Sequence, residues 1–201
     1  MAEQRQGPVS PDDYVMTAFD ILEQKGHSGI TLGELCSRLG VSTGSFYHHF
    51  DGMDGFVDVF VTRWESDQEV AMKAAASENS ELRRILVAKE LAAMFRHKAE
   101  AAIRAWSQSN PRVLEAQQRV DRMRRDNLAG LARRAGVDEH EADLLAAVGM
   151  AILVGMQQLQ DTDRHMIEAL NLYQQLIMRA AAGGTELPQN AGPGGSLPSA
   201  Q

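Results

Sequence analysis

The sequence predicts an all-α fold: a small three-helix N-terminal unit joined by a long helix to a larger helical C-terminal unit. Three observations predict it. Apolar residues recur at helical spacing through most of the chain, and no stretch sustains the two-residue alternation of a half-buried strand. Ala, Leu and Met are plentiful while aromatics make up only 5% of residues, a bias towards helix over sheet. Breakers at Lys25-Gly26, Gly40, Asp51-Gly52, Asn79-Ser80, Asn110-Pro111 and Gly136 cut the chain into pieces of helical length.

Each element can be justified in order. Residues 1–10 are polar with Gly7 and Pro8 and are expected to be a disordered N-terminus. Ser10 is placed to cap a first helix beginning at Pro11, with Val15, Ala18, Phe19 and Leu22 as its apolar face and Gly26 as a left-handed C-cap. Thr31 and Glu34 have capping-box spacing and open a two-turn helix whose apolar side is Leu32, Leu35, Cys36 and Leu39. Gly40 stops it, and Ser42 caps a second short helix carrying Thr43 to His48. Long helices follow over about 53–76, 81–108 (bent near Lys98), 111–135, 138–160 and 163–182. The Gly- and Pro-rich residues 183–201 lack an apolar face and are expected to be a disordered tail. The expected domains are therefore residues 11–52 and 53–182.

Composition and motifs narrow the function. A single cysteine, Cys36, excludes an intramolecular disulfide and a cysteine metal cluster. The start MAEQRQGPVS lacks the apolar core of a signal peptide, and no apolar run approaches the ~20 residues of a membrane span. The expectation is a cytoplasmic protein with no membrane partner. Gly-rich phosphate loops and HExxH are missing, and GVSTG at residues 40–44 joins two expected helices where a nucleophile elbow needs a strand before it, so no enzyme activity, cofactor or metal is expected. The adjacent His48 and His49 point about 100° apart on a helix and make a poor metal site.

Two short helices joined at Gly40 form a helix-turn-helix, whose second helix would lie in the major groove of double-stranded DNA. Thr43 and Ser45 are short and polar, and Gly44 permits close approach. The run GITLGELCSRLGVSTGSFYHHF at residues 29–50 carries more than the shape: Gly29 and Thr31, the Leu35-Cys36 pair, Gly40-Val41-Ser42 in the turn, and the aromatic end Phe46 to Phe50. Over about residues 11–63 the chain resembles the TetR family of transcriptional regulators. The resemblance implies that Thr31, Ser42, Thr43, Gly44, Ser45, Tyr47 and His48 approach DNA, with Thr31 and Tyr47 mainly on phosphates and Thr43 to Ser45 over bases. Phe46 and Phe50 would be core, and His49 either packing or contact.

The charge pattern departs from that picture. Met53 stands where the family commonly has a phosphate-gripping lysine. The first sixty residues hold nine acidic and three basic groups, a net of −6. A DNA-binding unit is usually basic. Either hydroxyls, backbone N–H groups and helix N-termini do the binding, or the chain is a ligand sensor on the same fold with weak or lost DNA binding. Residues 77–135, with thirteen basic and seven acidic groups, are instead net +6. Six arginines on one helix there (Arg119, Arg122, Arg124, Arg125, Arg133, Arg134) suit either an anionic ligand or a solvated helix paired with Glu115, Asp121 and Asp126.

Residues 144–156 are apolar on every side, which calls for burial all round, in the monomer core or between subunits. The resemblance implies a homodimer built on the last two helices, with Ala147, Ala151, Gly155, Leu170, Tyr173 and Ile177 at the seam. It also implies a small-molecule ligand, expected to be apolar, among residues 78–136 and the apolar helix. Met94, Phe95, Ile103, Trp106, Met123 and Met150 are candidates to line its pocket, against the plainer reading of core. Release of a repressor from its operator by that ligand is the function the family suggests.

Overall fold

A computed structural model describes residues 8–159 and 162–183. The described residues form nine α-helices: α1 Pro11–Lys25, α2 Leu32–Leu39, α3 Thr43–His49, α4 Gly52–Ala76, α5 Glu81–Ala93, α6 His97–Trp106, α7 Pro111–Arg134, α8 Glu139–Leu159 and α9 Thr162–Ala181. A 3-10 turn, His27–Gly29, links α1 to α2. No strand occurs among the described residues. Residues 1–7 and 184–201, which hold most of the expected disordered ends, lie outside them.

Local chemistry sets most boundaries. Ser10 closes a reciprocal capping box: its hydroxyl accepts from Asp13 N, and the Asp13 carboxylate accepts from Ser10 N at 2.8 Å. Asn110 accepts from the N–H groups of Arg112 and Val113 at the start of α7. Gly26 has φ 68° but ψ −172°, so the C-cap is positive-φ and extended rather than the expected left-handed one. The expected helix over 81–108 is two. The chain leaves helical geometry at Met94–Arg96 because Arg96 reaches back to α1, where its Nε and Nη2 donate to Glu23 at 2.6 and 2.8 Å. Phe95 turns inward beneath Arg124, 5.1 Å from its guanidinium.

The main core runs through the expected boundary at residues 52–53. Tyr14, Phe46, Phe50, Phe56, Phe60 and Trp64 share one apolar cluster with Ile103, Val113 and Val120 of α6 and α7. A second core joins α5, α7, α8 and α9 around Ile85, Ala132, Val137, Tyr173 and Ile177. There α8 and α9 cross closely at Gly149, where a Cβ would lie 2.6 Å from Tyr173 Cζ, and the Tyr173 hydroxyl donates to Leu145 O at 2.9 Å. By length and mean hydropathy (1.5), α8 could cross a membrane, contrary to the expectation that no run reaches that length. Acidic Glu139, Glu141 and Asp143 stand in its opening turns, and it packs along both α7 and α9.

Between α4, α6 and α7 lies a buried polar knot. Arg124, only 4% exposed, donates from Nη2 to Glu100 Oε2 and Gln68 Oε1, both at 2.7 Å. Glu100 Oε1 accepts from Trp64 Nε1 at 2.7 Å and Gln68 Nε2 at 3.1 Å. One carboxylate thus receives donors from α4 and α7 while sitting on α6. Breaking such a pair strands a buried charge, which costs roughly 3–5 kcal/mol. Arg124→Leu is expected to lower unfolding free energy by about that amount in urea denaturation, and Glu100→Gln in the same chain to recover part of it. An Arg124→Leu protein as stable as the parent would contradict this account.

Candidate nucleic-acid interface

The helix-turn-helix forms as its sequence dictates, with two local differences. Thr31 caps α2 by accepting from Glu34 N at 3.2 Å. The Glu34 carboxylate does not reach back to complete a box. One of its oxygens accepts from Lys25 Nζ and Arg38 Nε, each at 2.7 Å. Those hydrogen bonds, first from Lys25 and then from Arg38, hold the carboxyl below its ordinary pKa. Gly40 ends α2 in the left-handed region (φ 66°, ψ 32°), which favours glycine, and Val41 N then donates to Cys36 O. Ser42 has N-cap backbone geometry for α3, but its hydroxyl makes no capping bond. The turn is held instead by backbone Ser45 N to Ser42 O and by the Cys36 thiol donating to Ser42 O at 3.8 Å.

What aims α3 is an aromatic anchor. Phe46 and Phe50 are buried, and Tyr14 of α1 meets both edge-on, with ring centroids at 5.6 and 5.3 Å. Edge-to-face pairs of this kind contribute about 0.5–1.5 kcal/mol beyond their buried area. His49 is half-buried against Tyr14 and Phe50, which gives it a packing role. The Tyr14 hydroxyl donates to Ser45 Oγ at 3.1 Å, so Ser45 is half-buried and partly engaged. Thr31, Ser42, Thr43, Gly44, Tyr47 and His48 are exposed, Tyr47 at 60%. Six of the seven expected DNA-facing residues therefore share open surface, and Ser45 lies beneath them. Met53 is half-buried against the core.

The acidic excess is turned elsewhere. Asp12 pairs with Arg63, Asp20 and Glu23 with Arg96, and Asp54 and Asp58 with Arg112. These arginines belong to α4, the α5–α6 break and α7, so the acids bind the N-terminal helices to the rest of the chain. Arg119 and Arg133 are likewise taken, by Glu65 and Asp143, and Arg124 is buried. These partners lie on other helices, and Asp121, expected to pair within the helix, accepts instead from Arg104 of α6. Around α2 and α3, Lys25 and Arg38 are set against Glu34 and Asp51, leaving a face close to neutral.

The other expected sites divide. Met94 and Phe95 line a groove with Met16, Phe19, Trp64 and Gln68, side chains of α1 and α4 that carry no sequence signal for it. Ile103 and Trp106 are core, Trp106 lying 5.8 Å from Phe60 between ring centroids. Met150 is buried and Met123 half-buried, and neither lines that groove. A second, smaller cleft lies among α5, α7, α8 and α9, walled by Ile85, Leu128, Leu131, Leu153 and Tyr173. Of the expected seam residues, Ala147 and Ala151 are exposed and Gly155 half-buried. Leu170, Tyr173 and Ile177 are buried within the protomer, because α9 turns that face onto its own α5 and α8.

Residues 16–59 match the profile of bacterial regulatory proteins of the tetR family. The likeness to the TetR family is that of this segment. No curated protein matches the chain. The fold is shared with solved transcriptional regulators over 82–85% of the chain. A transcriptional regulator from Rhodococcus sp. Rha1 shares 20% identity at a TM-score of 0.71, covering 85% of this chain and 97% of its own. A TetR-family regulator from Streptomyces coelicolor shares 12% at 0.69, covering 85% and 95%. A transcriptional regulator from Saccharomonospora viridis, solved in complex with choline, shares 18% at 0.69, covering 82% and 95%. The profile's span includes α2, the turn and α3, so the TetR likeness and the exposed face of α3 concern the same residues.

Proposed function

We propose that this chain is a TetR-family transcriptional regulator that binds double-stranded DNA as a homodimer through α3 and releases it when a small molecule binds. It acts as a cytoplasmic repressor. The observation that carries the reading is the exposed polar face of α3, presented on a fully packed aromatic base. Thr43, Tyr47 and His48 are exposed, and the ring contacts of Tyr47 and His48 are to Phe46 and His49 of the same helix. Tyr47 and Thr31 serve phosphates, and Thr43, Gly44 and Ser45 lie over base edges. The acid-to-arginine pairing favours this over a sensor without DNA binding, because the net −6 of the first sixty residues is spent mostly away from α3.

The dimer follows from unpartnered apolar surface. Leu144 and Val148 of α8 are each 43% exposed, next to Ala147 and Ala151, and Leu172 and Leu176 of α9 are exposed too. Leu172 and Leu176 lie on the flank of α9 away from Asn171, which hydrogen-bonds Lys89 of α5. Two such surfaces meeting about a two-fold axis bury each other and place two α3 helices for successive half-sites. This seam uses the small residues Ala147, Ala151 and Gly155, while Leu170, Tyr173 and Ile177 support it from inside the protomer.

Tyr47→Ala is expected to weaken specific DNA binding by tenfold or more, on the order of 1–3 kcal/mol, with the helical content and mass of the assembly unchanged. Wild-type affinity in that variant, read by fluorescence anisotropy, would remove α3 from the interface. Val148→Glu places a charge in the seam and is expected to convert the dimer to folded monomer in sedimentation velocity. A dimer of undiminished strength would place the seam elsewhere.

A further inference from the structure

The groove between α1, α4 and the α5–α6 break has the chemistry of a ligand site, and its charge selects a class. It encloses a volume of about 270 Å³. Phe19, Trp64 and Phe95 give it aromatic walls, and Met16 and Met94 give it pliant ones. Met94 is 78% exposed at the mouth.

Three charged groups line it: Asp67, Glu100 and Arg96. Each has partners. Asp67 is held by Arg63, which also holds Asp12; Glu100 is held by Arg124; Arg96 is held by Asp20 and Glu23. Five carboxylates against three guanidiniums leave two negative charges around an aromatic cleft. Among the described residues Asp67 spends only Oδ1, on Arg63 at 2.8 Å, and its carboxylate is about half exposed. Of the guanidiniums nearby, Arg96 lines the groove and is already held by Asp20 and Glu23, while Arg124, whose Nε and Nη1 make no hydrogen bond among the described residues, is buried behind Phe95 and does not line it. A cation meets a spare carboxylate oxygen and a negative field. Two of the rings already carry cations: Arg96 lies over Phe19 at 5.5 Å and Arg124 over Phe95 at 5.1 Å.

We infer that this groove binds an organic cation with an apolar or aromatic body, its charge beside Asp67 and its body against Phe19, Trp64 and Phe95. As the ligand of the release step the inference rests on the proposed function; as a binding site it does not. The groove is also placed to matter. Its α1 wall leads through Tyr14 to α3, and α1 is tied to the α5–α6 break by the Arg96 bonds to Glu23 and Asp20. A ligand whose body rests on Phe19 beside Arg96 presses on that tie, giving the ligand different affinities for two placements of the DNA-reading helices.

The test uses the full chain without DNA. Benzyltrimethylammonium is titrated by calorimetry and by tryptophan fluorescence, with benzenesulfonate as an anionic control. Saturable binding of the cation alone is expected, weakened about fivefold by Asp67→Asn, the loss of roughly one exposed charge interaction. Met94→Arg, at an exposed position that the core does not need, is expected to weaken it at least as much. No saturable binding, equal binding of benzenesulfonate, or unchanged affinity in both variants overturns the inference. A cation that binds as described yet leaves a DNA complex intact supports the site and refutes only the release step.

Discussion

The carboxylate of Glu100 is the constraint on which much of the architecture depends. It is buried, charged and shared: Trp64 and Gln68 reach it from α4, Arg124 from α7, and it stands on α6. A buried charge is tolerated only with its partners in place, so three helices must converge at one spacing. Trp64 also belongs to the apolar cluster that begins at Tyr14 and Phe46. The knot therefore fixes the far end of the core that aims α3. Phe95 beneath Arg124 explains why the chain breaks between α5 and α6 at that point and not at Lys98.

A second layer of organisation is electrostatic. The N-terminal third is acidic and residues 77–135 are basic, and the two are joined by arginines reaching α1 and α4. Exposed pairs of this kind each contribute little, roughly 0–1 kcal/mol, and salt weakens them. Their value is directional. Asp12, Asp20, Glu23, Asp54 and Asp58 are all held towards arginines of the later helices, and the surface of α2 and α3 is left near neutral. A DNA contact built there relies on hydroxyls, backbone N–H groups and one tyrosine rather than on lysines.

Much of this was legible in the sequence because it is local. Caps at Ser10, Thr31 and Asn110, the stop at Gly40 and the apolar periodicity place the starts of α1–α5 and α7–α9 within one residue, and they depend on neighbours within four positions. The exposed α3 residues were legible for the same reason. What periodicity does not carry is long-range partnership. Arg96 breaking a helix to reach Glu23, the burial of Arg124, and Ile103 and Trp106 serving as core are settled by residues twenty or more positions away. The inward face of α9 is another case: Leu170, Tyr173 and Ile177 have the spacing of a seam, and only the placement of α5 and α8 assigns them to the protomer's interior. The groove was invisible because Met16, Phe19 and Trp64 of its wall come from two helices far from Met94 and Phe95 in the chain, and no local pattern marks them as a set.

The central claim is that a nearly neutral α2–α3 face reads DNA. It is tested most directly by selecting duplexes from a random pool with the full chain and measuring the affinity of the selected site across salt concentration. With Arg5, Lys25 and Arg38 the only basic side chains in the first sixty residues of each protomer, a dimer neutralises at most six phosphates from this region. The account predicts sequence-specific binding whose log–log salt slope is no steeper than about −5. A pool that yields no preferred sequence, or a slope well beyond that value, would contradict it.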